Sequence, residues 1–298
     1  MSGSARHLAL CCLCGLGGPA AAESAGTLPA GAVTLYGGVG LGTFQYGSSG
    51  MLRDRQWRPR VDLYGALGVT ERLQVSLDGP FAAVWVQEKA DEGPCPTDGY
   101  EGDYCDTTIT AGEIGLHARY RLTPGPGLVV GIGARTDAWN AGTRGRWTNA
   151  GLGTTSLVGS VVGGRDWDRL GVVAAAHYRL TFGRLVDAGL GELRLPGDEV
   201  VGQLEVRTPA GPITAQLGVM GVSRLAGVEY GSDYIDAYRF TRDRWASLRY
   251  RALRGEAKVS APLGESAGLH LSVGRIIVAA NGPKDALDVS IGVHRYWP

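Results

Sequence analysis

The sequence predicts an all-β fold: an antiparallel up-and-down transmembrane β-barrel of about 12 strands. Three observations in the 298 residues carry this. The first is a period-two rhythm that begins near Val33 and runs to the end of the chain. In the stretch 61–69 the odd positions are apolar or Gly, while the even ones include Asp62 and Tyr64. In 113–122 the even positions are mostly apolar, and the odd ones are Glu113, Gly115, His117, Arg119 and Arg121. Period two means strand, with one dry and one wet face. The second is that the dry faces lack charge for about 9–11 residues, the length a tilted strand needs to cross a bilayer. The third is that connections alternate between tight turns and long polar loops, the asymmetry of bacterial outer-membrane barrels.

Composition agrees. The chain is 44% hydrophobic and 19% charged. Beyond the N-terminus no run of about 18 apolar residues exists, so no helical span is expected. The 48 glycines are spread through the strands without collagen periodicity. Glycine weakens an ordinary strand, whereas a curved, closed wall with a crowded interior favours small side chains. A formal net charge of zero gives no reason to expect nucleic acid as a partner.

Residues 1–22 read as a signal peptide: Arg6 and His7 are basic, residues 8–18 are apolar, and Ala20-Ala21-Ala22 offers the cleavage site. A barrel domain over 23–298 follows, with export to the outer membrane of a Gram-negative envelope. Cys11, Cys12 and Cys14 leave with the peptide. None follows the small residue that a lipoprotein signal requires. Cys95 and Cys105 remain, and an even pair in an exported chain reads as a disulfide closing a loop.

The elements follow in order. Strand 32–46 opens the rhythm, and the polar stretch 47–56 interrupts it. Strand 57–70 places Arg60 and Asp62 on the wet parity. The turn Thr70-Glu71-Arg72 leads into 73–87, with Asp78 inward and Trp85 on the dry face. The acidic loop 88–106 precedes strand 107–122. The turn Pro124-Gly125-Pro126-Gly127 leads to 128–140, which turns Arg135 and Asp137 inward. Loop 140–153 separates this from 154–166, and Asp166-Trp167-Asp168-Arg169 turns the chain into 169–182, with His177 and Arg179. Loop 183–198 leads to 199–208, carrying Glu205 and Arg207, and Pro209-Ala210-Gly211-Pro212 turns it into 212–228. After loop 230–244, strand 244–260 breaks phase: Arg249 and Arg251 are odd, while Arg254, Glu256 and Lys258 are even. A β-bulge near Ala252-Leu253 would restore the pattern. Segment 262–268 leads to 268–280, with His270. Asn281-Gly282-Pro283-Lys284 leads to 285–297, with Asp288 and His294. Trp57, Trp85, Tyr120, Trp167, Tyr178 and Trp297 fall near strand ends on the dry face, where interfacial girdles form.

The segment Gly112-Glu113-Ile114-Gly115-Leu116-His117-Ala118-Arg119-Tyr120-Arg121-Leu122 resembles the Gly-Asp-x-x-Leu-x-x-Lys/Arg-Tyr-x-Leu strand of channel-like barrels. These are similar to the outer-membrane transporters of aromatic-hydrocarbon and phenol-degradation pathways. Glu113 replaces the usual Asp. Residues 23–30 are too short for the plug of acyl-chain transporters. The C-terminal alternation resembles a barrel insertion signal, displaced by Pro298.

The chemistry lies on the wet face. The expected pore-lining residues are Arg60, Asp62, Glu113, His117, Arg119, Arg121, Arg135, Asp137, Arg179, Glu205, Arg207, Arg249 and Arg251. Such rows orient water and guide solutes, and Arg favours anions. The same charges can brace the wall as cross-strand pairs. The implied role is passive passage of small solutes through a charged lumen. The alternatives are a closed structural or adhesive barrel acting through its loops, or a channel for acidic oligosaccharides. Gly264-Glu265-Ser266-Ala267-Gly268 matches Gly-x-Ser-x-Gly, but that motif needs a strand-to-helix elbow, and here two strands flank it. No His-x-Ser motif sits on a dry face and there is no Cys/His cluster for zinc, so no enzyme, cofactor or metal site is expected. The loop around Asp98, Glu101 and Asp103 reads as a solvated acidic loop without Ca²⁺-site spacing.

Overall fold

The computed structural model describes residues 26–45, 55–87, 105–111, 113–123, 127–136, 155–182, 185–186, 193–194, 198–210, 212–225, 251–280 and 284–298. The strands are β1 (Val33–Gln45), β2 (Arg55–Gly68), β3 (Leu73–Gln87), β4 (Cys105–Ala111), β5 (Ile114–Arg121), β6 (Leu128–Thr136), β7 (Thr155–Asp166), β8 (Gly171–Phe182), β9 (Leu185–Val186), β10 (Leu193–Arg194), β11 (Glu199–Ala210), β12 (Ile213–Arg224), β13 (Arg251–Pro262), β14 (Ala267–Ala280) and β15 (Lys284–Trp297). No helix occurs among the described residues.

The wall is an antiparallel meander, and β1 pairs with both β2 and β15, so the sheet closes on itself. Closure removes the exposed edges that an open sheet would present. β4 and β5 lie end to end along β3, against 81–87 and 73–78 respectively, and form one stave between them. The barrel therefore has 12 staves, as the sequence predicts. β9 and β10 form a separate ribbon within the expected loop 183–198. The expected continuous strand 107–122 is interrupted before Ile114, and the Glu113 side chain is buried at the break.

The short connections, apart from the one between β14 and β15, lie at one end, hereafter the turn end. There the Val69 amide donates to Leu73 O at 2.8 Å and the Trp167 amide to Leu170 O at 2.7 Å. Gly264 has φ +107°, a left-handed conformation that glycine takes without Cβ strain. The opposite, loop end carries the longer connections.

Strand parity sorts the side chains. β8 alternates inward and outward almost without fault along its length. Ile132 and Leu217 are 65% and 67% exposed, with Leu116, Leu77 and Val39 also on the outer wall. Tyr120, Trp167, Tyr178 and Trp297 are exposed too. The Arg295 guanidinium lies over the Trp297 ring, 5.0 Å from its centroid, at the turn end. The side chains of Trp57 and Trp85 lie outside the described residues.

Candidate functional site in the barrel lumen

Two chains of ion pairs run along the inner wall. In the first, Arg60 Nε donates to Asp62 at 2.7 Å, and the rest of the guanidinium grips Asp288, one nitrogen at 3.1 Å. Arg254 reaches the same Asp288 at 3.3 Å and Glu256 at 3.8 Å, and Lys258 lies 3.3 Å from Glu256. In the second, Arg135 pairs with Asp78 and lies 3.8 Å from Glu113. Arg179 donates to Glu113 at 2.6 Å and lies 3.7 Å from Glu199, which accepts from Arg224 at 2.8 Å. His117 Nε2 lies 2.9 Å from Asp78. Along both chains acids and bases are matched. Together they reach from β2 through β15 to β13, and from β12 round to β3.

Glycines make this geometry possible. Gly40 on β1 stands between Arg60 on β2 and Ser290 on β15. A Cβ there would fall 2.8 Å from Arg60 Cζ. Gly274 makes the same room for Arg254, and Gly115 for the meeting of His117, Asp78 and Arg135. Long side chains thus cross a neighbouring strand to reach a partner two or more strands away, which accounts for part of the glycine content.

The paired side chains are covered: Arg135, Arg179 and Arg224 are 1%, 0% and 1% exposed. Buried ions are tolerated where geometry and further hydrogen bonds offset desolvation. Apolar clusters pack the inner wall at both ends. Val129, Val162, Val173 and Ala175 lie toward the turn end, and Val201, Val222, Ala252, Ile276 and Ala286 toward the loop end. At the turn end residues 26–32 fold against β2, with Leu28 and Ala32 buried beside Ala66, Tyr64 and Tyr296. The Leu28 amide donates to Gln74 Oε1 at 3.0 Å, and Gly68 exchanges backbone bonds with Gly31 and Ala32.

Among the residues expected from the sequence, Arg60, Asp62, Glu113, Arg119, Arg135, Arg179 and Glu205 have buried side chains on the inner wall. His117 is partly buried beside Asp78. Arg121 donates to Glu71 O at 2.6 Å and Arg207 Nε to Asp166 at 2.8 Å, both at the turn end. Asp137 and Arg249 lie outside the described residues, as does the Cys95–Cys105 pairing.

Arg251 requires a correction: it is exposed on the outward parity, opposite Ser223 and Ala280. Even positions of β13 from Ala252 to Lys258 already face inward, so no phase change within this stretch turns Arg251 in. The register shift does fall at Leu253/Arg254, but the extra residue is Ile277 of β14. Ile277 and Val278 are consequently both exposed.

Sequence reasoning missed Glu199 and Arg224. The two stand directly opposite across the β11–β12 hairpin, and counting back from its turn would have paired them. The Gly-x-Ser-x-Gly match lies at the β13–β14 connection and the start of β14, with no elbow.

No family model matches the chain, and no curated protein matches it. Among solved structures, it is similar to an outer membrane channel from Pseudomonas putida F1. That match has 15% identity and a TM-score of 0.66, over 91% of this chain and 97% of that one. The fold is that of an outer-membrane β-barrel. Two further similar structures are the CymD monoaromatic hydrocarbon channel (12% identity, 91% and 89% covered, TM-score 0.48) and the Ralstonia pickettii toluene transporter TbuX (11% identity, 91% and 90% covered, TM-score 0.46). At these identities the likeness is one of fold.

Proposed function

We propose that this protein is an outer-membrane channel for passive passage of small solutes. The observation that carries the reading is a closed barrel with an apolar outer wall and a charged inner wall. Such a wall partitions into lipid and offers solutes a polar interior. Arg60, Asp62, Glu113, His117, Arg119, Arg121, Arg135, Arg179, Glu205 and Arg207 act as lumenal residues, joined by Asp78, Glu199, Arg224, Arg254 and Asp288. Because the ion-pair chains are matched, they bring no excess of positive charge, which argues against a channel for acidic oligosaccharides. Residues 1–22 direct export and are removed, Cys95 and Cys105 close the acidic loop, and the lipid of the outer membrane is the partner. No enzymatic role is assigned.

One observation favours a second reading. The charged side chains of the two ion-pair chains are covered and paired, as in a barrel braced shut by its own interior that acts through its loops. Liposome swelling separates the two. Proteoliposomes placed in isosmotic small sugars or amino acids swell faster than empty ones if the barrel conducts. A folded barrel that leaves the swelling rate at background supports the closed reading and removes the first.

A further inference from the structure

Near the turn end of the lumen, β14 and β15 bring two histidines together. His270 is paired in register with Gly292, and His294 with Gly268, so the imidazoles are diagonal neighbours. Their centroids are 4.6 Å apart with the rings tilted by 40°. His270 Nε2 and His294 Nδ1 face each other in hydrogen-bonding contact. The other nitrogen of His270, Nδ1, lies 2.8 Å from Ser260 Oγ on β13. Tyr36 stands beside them, its ring centroid 6.1 Å from that of His270. Both histidines are only partly buried, so the pair is reachable from solvent.

The backbone is cut to fit this pair. A Cβ at Gly268 would fall 2.4 Å from His294 Cε1, so any other residue there pushes the ring away. As placed, the two nitrogens touch and share a proton. A cation roughly 2.0–2.1 Å from each needs them about 3 Å apart, a separation that rotation of the rings about their side-chain bonds supplies. When Ser260 accepts the Nδ1 proton of His270, the lone pair is on Nε2 and points at His294. Metal-binding histidines are oriented in this way, by a partner on the nitrogen that does not bind.

We propose that His270 and His294 form a binding site for a divalent transition cation of the imidazole-preferring class, such as zinc, copper(II) or nickel. His270 Nε2 and His294 Nδ1 are the ligands, Ser260 is a positioning residue, and water completes the coordination. With two protein ligands the ion is exchangeable. The site is independent of whether the barrel conducts.

The test is a zinc titration of the folded full-length barrel in detergent, with its cysteines alkylated, against a chromogenic zinc indicator. One ion per barrel should bind in competition with the indicator. His270→Gln and His294→Gln should each abolish that competition. Ser260→Ala should weaken binding by about 10-fold. His177→Gln, on the same lumenal face of another strand, should change nothing. Heat-modifiable gel mobility reports folding for each variant, and if His270→Gln fails to fold, the other two variants decide. A native barrel that takes up no zinc would overturn the proposal, leaving the pair to share a proton. Equal uptake by the native protein and the histidine variants would overturn it as well, assigning the ion to another site.

Discussion

Arg179 has no exposed surface, and an arginine cannot shed its proton to escape burial. Its charge is held by Glu113 at 2.6 Å and Glu199 at 3.7 Å. Removing the guanidinium alone leaves those carboxylates buried with fewer counter-charges. Arg179→Met should therefore lower unfolding stability by about 3–5 kcal/mol, and adding Glu113→Gln should recover a substantial part. Urea titrations of the refolded variants in detergent or liposomes check this. A single variant as stable as the native barrel would show that the ion-pair chain carries no such cost of uncompensated charge. Parity alone placed Arg179 and Glu113 on the inner wall. Their meeting was not legible, because Arg179 on β8 reaches past β7 and β6 to find Glu113, and such long crossings depend on barrel curvature.

At the scale of elements, the sequence made the staves and the turns visible, since period two and the Pro/Gly turn clusters are local signals. It did not reveal the break at Glu113 or the ownership of the bulge. A phase shift read along one strand cannot say which partner carries the extra residue, and here β14 holds it at Ile277. Residues 26–32 were also unreadable, because their order comes from contacts with β2 and β3 remote in sequence. Gly68 is the key to that segment: a Cβ there would lie 1.9 Å from Pro29 O and 2.9 Å from Leu28 O, both backbone atoms. Gly68→Ala should expel the segment and lose the burial of Leu28, worth about 1.5–3 kcal/mol. Limited proteolysis with a nonspecific protease should then trim the N-terminal segment faster than in the native protein, while the barrel stays intact. Equal trimming rates would contradict this docking.

The whole molecule presents two environments separated by one layer of backbone. Outward residues such as Leu217 and Ile132 gain from lipid what they would lose in water, so the outer wall needs a bilayer for its stability. An arginine at Leu217, in the middle of β12, should cost about 2–4 kcal/mol in a bilayer refolding titration, falling to about 0–1 at the interface. Leu263→Arg, in a turn-end connection, serves as the interfacial comparison. Equal costs at the two sites would contradict a membrane-spanning β12. This division was legible from sequence, because alternation alone decides which side faces out. The covering of the lumenal charges was not, because it depends on closure and packing.

Passage through the lumen is the central claim, and single-channel recording of the refolded barrel in a planar bilayer tests it most directly. The account predicts discrete, reproducible conductance steps. Because the ion-pair chains are matched and the remaining lumenal arginines exceed the acids only modestly, any anion preference in the reversal potential in a salt gradient should be small. A heat-modifiable, correctly inserted barrel that stays electrically silent would contradict the channel reading and move function to the loops.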